Sequence, residues 1–105
     1  MVIEASSENF DQEVQGPVTV VDFWAPWCGP CKMMAPIIDR LEKQFAGRIK
    51  FVKFNVDNSQ EIAERYKVMS IPSLVLFKDG QAKEKVTGVY PEAKLAHYLN
   101  RKLAE

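Results

Sequence analysis

Val18-Thr19-Val20-Val21-Asp22-Phe23-Trp24, then Ala25-Pro26, then Trp27-Cys28-Gly29-Pro30-Cys31-Lys32 is the stretch around which the chain is organised. Its first seven residues are apolar almost throughout, as a central parallel strand covered on both faces requires. Ala25-Pro26 then turns the chain. From Cys31 to Ala46 the apolar residues Met34, Ile37, Ile38, Leu41 and Phe45 share one face, while Lys32, Asp39, Arg40, Glu42 and Lys43 fall elsewhere. That is the spacing of an amphipathic helix. The only two cysteines, Cys28 and Cys31, sit at the junction. A CxxC between strand and helix in a chain of βαβ character is the pattern of a dithiol–disulfide redox site.

The spacing has a physical basis. Residues i and i+3 of a helix hold their Cβ atoms roughly 5–6 Å apart, and a disulfide needs roughly 3.5–4.5 Å. Two cysteines so placed join or part with little backbone movement. The first N–H groups of a helix lack intrahelical partners and favour negative charge. Cys28 lies there, which lowers its thiol pKa and makes it the attacking group. Cys31, one turn further in, is expected to be more buried, less acidic and the resolving thiol. Other uses of a CxxC fit less well. A haem attachment needs His where Lys32 stands. A structural zinc site needs four ligands, and the chain offers two cysteines and the lone His97. A structural disulfide closing so short a loop removes little unfolded-state entropy.

Working outward, 105 residues suffice for one domain with a single core. A hydrophobic content of 47% fits a globular protein rather than a disordered one. The 14 basic and 14 acidic residues cancel, and no charge run suggests a nucleic-acid footprint. Met1-Val2-Ile3-Glu4 lacks the basic flank and apolar core of a secretory signal, and the apolar runs are too short for a membrane span. Two close cysteines without a wider framework suit a reducing compartment, so the expected location is cytoplasmic.

Val2 to Ala5 reads as a short strand. Ser6 or Ser7 can cap a first helix that buries Phe10 and Val14, ended by Gly16-Pro17. Pro36 lies inside the second helix and predicts a kink; Gly47 stops it. Ile49 to Val56 is a strand. Asp57-Asn58-Ser59 caps a short third helix with Ile62, Ala63 and Tyr66. Ser73 to Phe77 and Ala82 to Thr87 are strands joined by a hairpin signalled by Asp79-Gly80, the second an edge strand. Glu92 to Ala104 is a last helix with Leu95, Leu99 and Leu103 inward. The order βαβαβαββα predicts an α/β sandwich, a mixed sheet with helices on both faces.

Over essentially its whole length the chain resembles the thioredoxin family. The residues that carry the resemblance are Val21 to Lys32 with the WCGPC motif, Ala35-Pro36, Lys53, Asn55-Val56-Asp57, Ser70-Ile71-Pro72-Ser73, Phe77-Lys78-Asp79-Gly80 and Gly88. The Gly29-Pro30 pair is similar to that of the reducing members. Pro26, Ser73 and Thr87 stand where the family varies. The resemblance implies a thioredoxin fold, with a central mixed sheet of about five strands flanked by four helices, in a single domain over 1–105.

Several residues carry two readings. By residue type alone Asp22 is either an edge carboxylate or a buried acid; the resemblance implies a buried acid near Cys31 that accepts its proton. Lys53 is either solvated or, by resemblance, the partner that tunes Asp22. Trp27 is core or, with Ile71 and Pro72, part of an apolar docking patch. Trp24 is half core and half wall of the site. Gly88 ends a strand or admits a partner's backbone. Pro72 would be trans on frequency, whereas the resemblance implies a cis bond that lets Ile71 pair with an extended substrate. Met33, Met34 and Met69 are expected to pack, and His97 to be solvated.

The activity implied is general protein-disulfide reduction by thiol–disulfide exchange. Cys28 attacks a docked disulfide, and Cys31 resolves the mixed disulfide. The partners implied are disulfide-containing proteins and a flavin-containing, NADPH-dependent thioredoxin reductase. The chain is expected to be a monomer with no cofactor, metal, nucleic acid or membrane of its own. Two other classes stay open on sequence: a non-catalytic binding or processivity module, and a redox sensor serving one partner.

Overall fold

Strand β2 (Val18–Trp24) is the middle strand of a five-stranded sheet ordered β1-β3-β2-β4-β5. The computed structural model describes residues 1–105. The remaining elements are β1 (Ile3–Ala5), α1 (Phe10–Glu13), α2 (Gly29–Gln44), β3 (Lys50–Asn55), a 3-10 turn (Val56–Asn58), α3 (Gln60–Arg65), β4 (Ser73–Lys78), β5 (Gln81–Thr87) and α4 (Glu92–Leu103). The mixed sheet and four helices are those of the expected fold.

β2 runs parallel to β3 but antiparallel to β4. The expectation of a parallel strand therefore holds on one side only. Its apolar run reports burial on both faces, which is the same whichever way a neighbour runs. Alternation along the strand sends Val20 to one side of the sheet and Val21 and Phe23 to the other. Val20 packs with Met34, Ile38, Leu41 and Phe45 of the α2 region and with Leu95 and Leu99 of α4. Val21 and Phe23 pack with Phe10, Val52, Phe54, Ile62 and Phe77. By the same alternation Asp22 shares the side of Val20, under α2.

A four-residue helix has no stability of its own. What holds α1 is Phe10, fully buried, with its ring 5.2 Å from that of Phe54 and 5.6 Å from that of Tyr66. The cap expected from Ser6 or Ser7 lies one turn earlier than the regular helix. Ser6 Oγ accepts from the Asn9 N–H at 3.2 Å, and Asn9 Oδ1 accepts from the Ser6 N–H at 2.8 Å. Helix α2 starts at Gly29 rather than Cys31, because Cys28 is its cap and Pro30 is tolerated in the first turn. It continues through Pro36, which is exposed. Leu41 and Phe45 of its apolar face are fully buried, and Ile37 is half-buried at its margin. The β4–β5 hairpin turns at Asp79 (φ 51°) and Gly80 (φ 79°), two consecutive left-handed residues as a tight hairpin demands. α4 is tied to β5 through Glu84, which accepts from the Tyr98 hydroxyl and from Lys102, each at 2.6 Å. No helix is long and apolar enough to cross a membrane.

Candidate functional site

Where β2 ends, the chain reaches the two cysteines. Cys28 occupies the N-cap of α2 in extended conformation, and its Sγ accepts the Cys31 N–H at 3.2 Å. A sulfur thus takes the role that an oxygen plays in an ordinary cap. Pro30 has no N–H to satisfy in that turn. Cys28 and Cys31 are joined as a disulfide with Cα atoms 5.3 Å apart. Gly29 and Pro30 between them are exposed.

The expected contrast in burial is small: Cys28 is 5% and Cys31 4% exposed. What separates them is direction. Cys28 Sγ lies 3.8 Å from the Ile71 carbonyl oxygen. Cys31 instead lines a cavity of about 330 Å³ together with Asp22, Trp24, Lys53, Ala35 and Ile38. Helix geometry causes this, since the cap residue sits outside the first turn while Cys31 begins the buried stripe that continues through Met34, Ile38 and Leu41.

Asp22 is 5% exposed, and its Oδ1 is buried without a hydrogen-bond partner. Burial raises its pKa from 3.8 to about 7, and the charge of Lys53 offsets part of the rise. Lys53 stands opposite Asp22 in the β2–β3 register. Its ammonium does not bond the carboxylate directly; it lies 5.6 Å from the centroid of the Trp24 ring. The Trp24 Nε1 is a second buried polar atom without a partner. Both unpartnered residues line the one cavity, whose walls are mostly apolar; it is roomy enough for a water, and these two atoms are the polar partners it offers one.

On the Cys28 side the surface is open and mixed in polarity. Trp27 is 69% exposed rather than core, and its indole N–H is shared between the two carboxylate oxygens of Asp57, each at 3.2 Å. Beside it lies a groove of about 410 Å³ floored by Val56, Ala63, Val68 and Ile71. The Ile71–Pro72 bond is cis. Ile71 is half-buried and Pro72 buried. Neither the N–H nor the C=O of Ile71 makes a backbone hydrogen bond. Gly88 has φ +106°, a conformation that by itself favours glycine, with open space where a Cβ would stand. Its N–H donates to the Pro72 carbonyl at 2.9 Å, joining the two loops.

Two expectations about methionine fail. Met34 is fully buried, but Met33 is 63% and Met69 91% exposed. Met33 is one residue off the buried stripe of α2, and Met69 sits in the loop before Pro72, where nothing covers it; it rims the groove beside Trp27. His97 is exposed as expected. Asp57 is the residue that sequence reasoning assigned elsewhere. It was expected to help cap α3, yet Ser59 alone does so, its Oγ accepting the Ile62 N–H. Asn55 accepts the Asp57 N–H at 2.9 Å and fixes the turn that aims Asp57 at Trp27. The signal was an acidic residue just past a strand, beside the CxxC only in space. No three His, Cys, Asp or Glu side chains come together as a metal site.

A family model described as Thioredoxin matches residues 1–101. A thioredoxin of Staphylococcus aureus (strain Mu50 / ATCC 700699) is 43% identical over 102 residues, covering 97% of this chain and 98% of that protein. A thioredoxin of Staphylococcus haemolyticus (strain JCSC1435) is 42% identical with the same coverage.

Proposed function

The chain belongs to the thioredoxin family, and from that premise we propose how its redox pair, Cys28 and Cys31, reduces protein disulfides. One observation carries the reading: Cys28 faces the Ile71 loop, where a substrate can dock, while Cys31 faces the cavity of Asp22.

A substrate disulfide docks across Trp27, Ile71, Pro72 and Gly88. The N–H and C=O of Ile71, neither of them in a backbone hydrogen bond, suit pairing with an extended backbone, as in strand addition. The Cys28 thiolate, stabilised by the N–H groups at the start of α2, attacks one substrate sulfur. A mixed disulfide forms, and the other substrate sulfur leaves as a thiolate. Asp22 then takes the Cys31 proton, directly or through water in the cavity. Its pKa of about 7 suits a base working near neutrality. The Cys31 thiolate attacks Cys28 Sγ, closing the Cys28–Cys31 disulfide and expelling the second substrate thiolate. Two electrons have passed to the substrate. Lys53 tunes Asp22 by its charge, and Gly29-Pro30 keep the spacing of the pair. Electrons return from NADPH through a flavin-containing thioredoxin reductase. The protein works as a monomeric single domain in the cytoplasm.

A binding module has no use for a buried, unpartnered carboxyl beside one thiol; a single-partner sensor would use the same surface, and membership of the thioredoxin family favours the reductase over both. The test is insulin reduction with dithiothreitol, followed by turnover of several unrelated disulfide proteins. Acceleration of all of them is expected. No acceleration over dithiothreitol alone overturns the reductase reading, and acceleration of a single protein favours the sensor.

A further inference from the structure

Below the docking loop lies a short relay of hydroxyls. Ser73 Oγ donates to the Ser70 carbonyl at 2.7 Å. It also lies 3.0 Å from Thr87 Oγ1, its partner across the β4–β5 register. A hydroxyl has one proton. Ser73 has spent its own on Ser70, so Thr87 is the donor in the second bond. The order is Thr87 O–H to Ser73 Oγ, then Ser73 O–H to Ser70 C=O. Successive bonds of this kind polarise and strengthen one another. Ser73 is 1% exposed, whereas Thr87 is on the surface.

The Ser70 carbonyl belongs to the same peptide unit as the Ile71 N–H. That unit is trans, since the one cis bond is Ile71–Pro72. A trans peptide is planar, with its C=O and N–H on opposite sides. Holding the carbonyl inward on Ser73 therefore turns the Ile71 N–H away from Ser73, and that N–H has no backbone acceptor. Without the hydroxyl relay the peptide plane is free to rotate and to carry the donor with it.

We propose that Ser73 and Thr87 are positioning residues: their hydroxyl relay aims the Ile71 N–H at the backbone carbonyl of an incoming disulfide substrate. This rests on the reading above that Ile71 pairs with the substrate backbone. It predicts that the protein discriminates among peptide disulfides by carbonyl strength at one residue near the reacting cysteine.

The experiment uses the reduced protein and a set of peptide disulfides. In each, one amide near the reacting cysteine is replaced by an ester, which weakens the carbonyl as an acceptor. The parent is expected to show a KM about fivefold higher for one ester peptide than for the all-amide peptide, the usual worth of one hydrogen bond. Thr87→Val, which keeps the shape at a surface position, and Ser73→Ala should both lose most of that preference. Thr87→Ser should restore it, which a merely structural effect on the hairpin would not do. Thermal unfolding checks Ser73→Ala; should it fail to fold, Thr87→Val with its Ser rescue decides alone. If the parent prefers no peptide of the set, pairing at Ile71 itself is wrong. If the parent discriminates and Thr87→Val discriminates equally, the pairing stands and the relay is overturned.

Discussion

Replacing Asp22 by Asn keeps the side-chain shape and removes a group that has to ionise inside the protein. The structure sets the size of the effect. Asp22 is buried, its Oδ1 has no partner, and Lys53 offsets only part of the cost. In the unfolded chain the carboxyl ionises near 3.8; in the folded protein it does so near 7. Between those values the native state holds a proton that the unfolded state has lost. Stability therefore falls as pH rises through that window, and the loss is complete above about 7. A rise from 3.8 to about 7, at about 1.4 kcal/mol per pH unit, amounts to roughly 4 kcal/mol. Asp22→Asn should match the parent near pH 4 or below and exceed it by up to that amount at pH 8. The assay is urea unfolding of the oxidised proteins across this range, where a gain of that size moves the midpoint by more than 1 M at typical urea slopes of about 1–3 kcal/mol/M. An Asp22→Asn protein no more stable than the parent at pH 8 refutes the burial argument. The kinetic arm is separate. Loss of general-base help slows resolution of the mixed disulfide by roughly 10²–10⁴-fold, while the first attack by Cys28 changes less. A gain in stability with unchanged single-turnover kinetics would keep the buried acid and remove its role as base.

Cys31→Ser should accumulate mixed disulfides with substrates, whereas Cys28→Ser should trap none; gel analysis showing the reverse exchanges the two roles. Asp57→Asn weakens the hold on the Trp27 indole, and KM for protein disulfides should rise about two- to fivefold, the range for one exposed hydrogen bond; steady-state kinetics with insulin reads this, and an unchanged KM removes Asp57 from the docking surface. Ser59→Ala deletes the side-chain cap of α3 and should cost about 1 kcal/mol in denaturant unfolding; a neutral result would mean that the Ile62 N–H finds water instead.

The hairpin was legible because its signal is local: Asp79-Gly80 supplies two residues that tolerate positive φ, and both have it. The face of α2 was legible because Met34, Ile38, Leu41 and Phe45 repeat with the helix period, and all four are buried. The redox pair was legible because Cys28 and Cys31 are neighbours along the chain whatever the rest does. Chain-local chemistry placed the cap of α3 within Asp57-Asn58-Ser59, and Ser59 is the residue that caps it. The exposure of Met33 and Met69 was not legible. Hydrophobicity states what a side chain prefers, and only neighbours decide whether anything covers it.

What tertiary structure decided is the set of pairs remote in sequence. Asp22 and Cys31 share a cavity because β2 alternation and the α2 crossover place them on one side of the sheet. Lys53 reaches that cavity only through the parallel register of β3 with β2. Trp27 meets Asp57 across 30 residues of sequence, and Ser73 meets Thr87 only when the hairpin pairs. A pKa follows from these placements rather than from residue type. The same aspartate would ionise near 3.8 on an open edge and does so near 7 here, because burial withdraws the water that stabilises its charge.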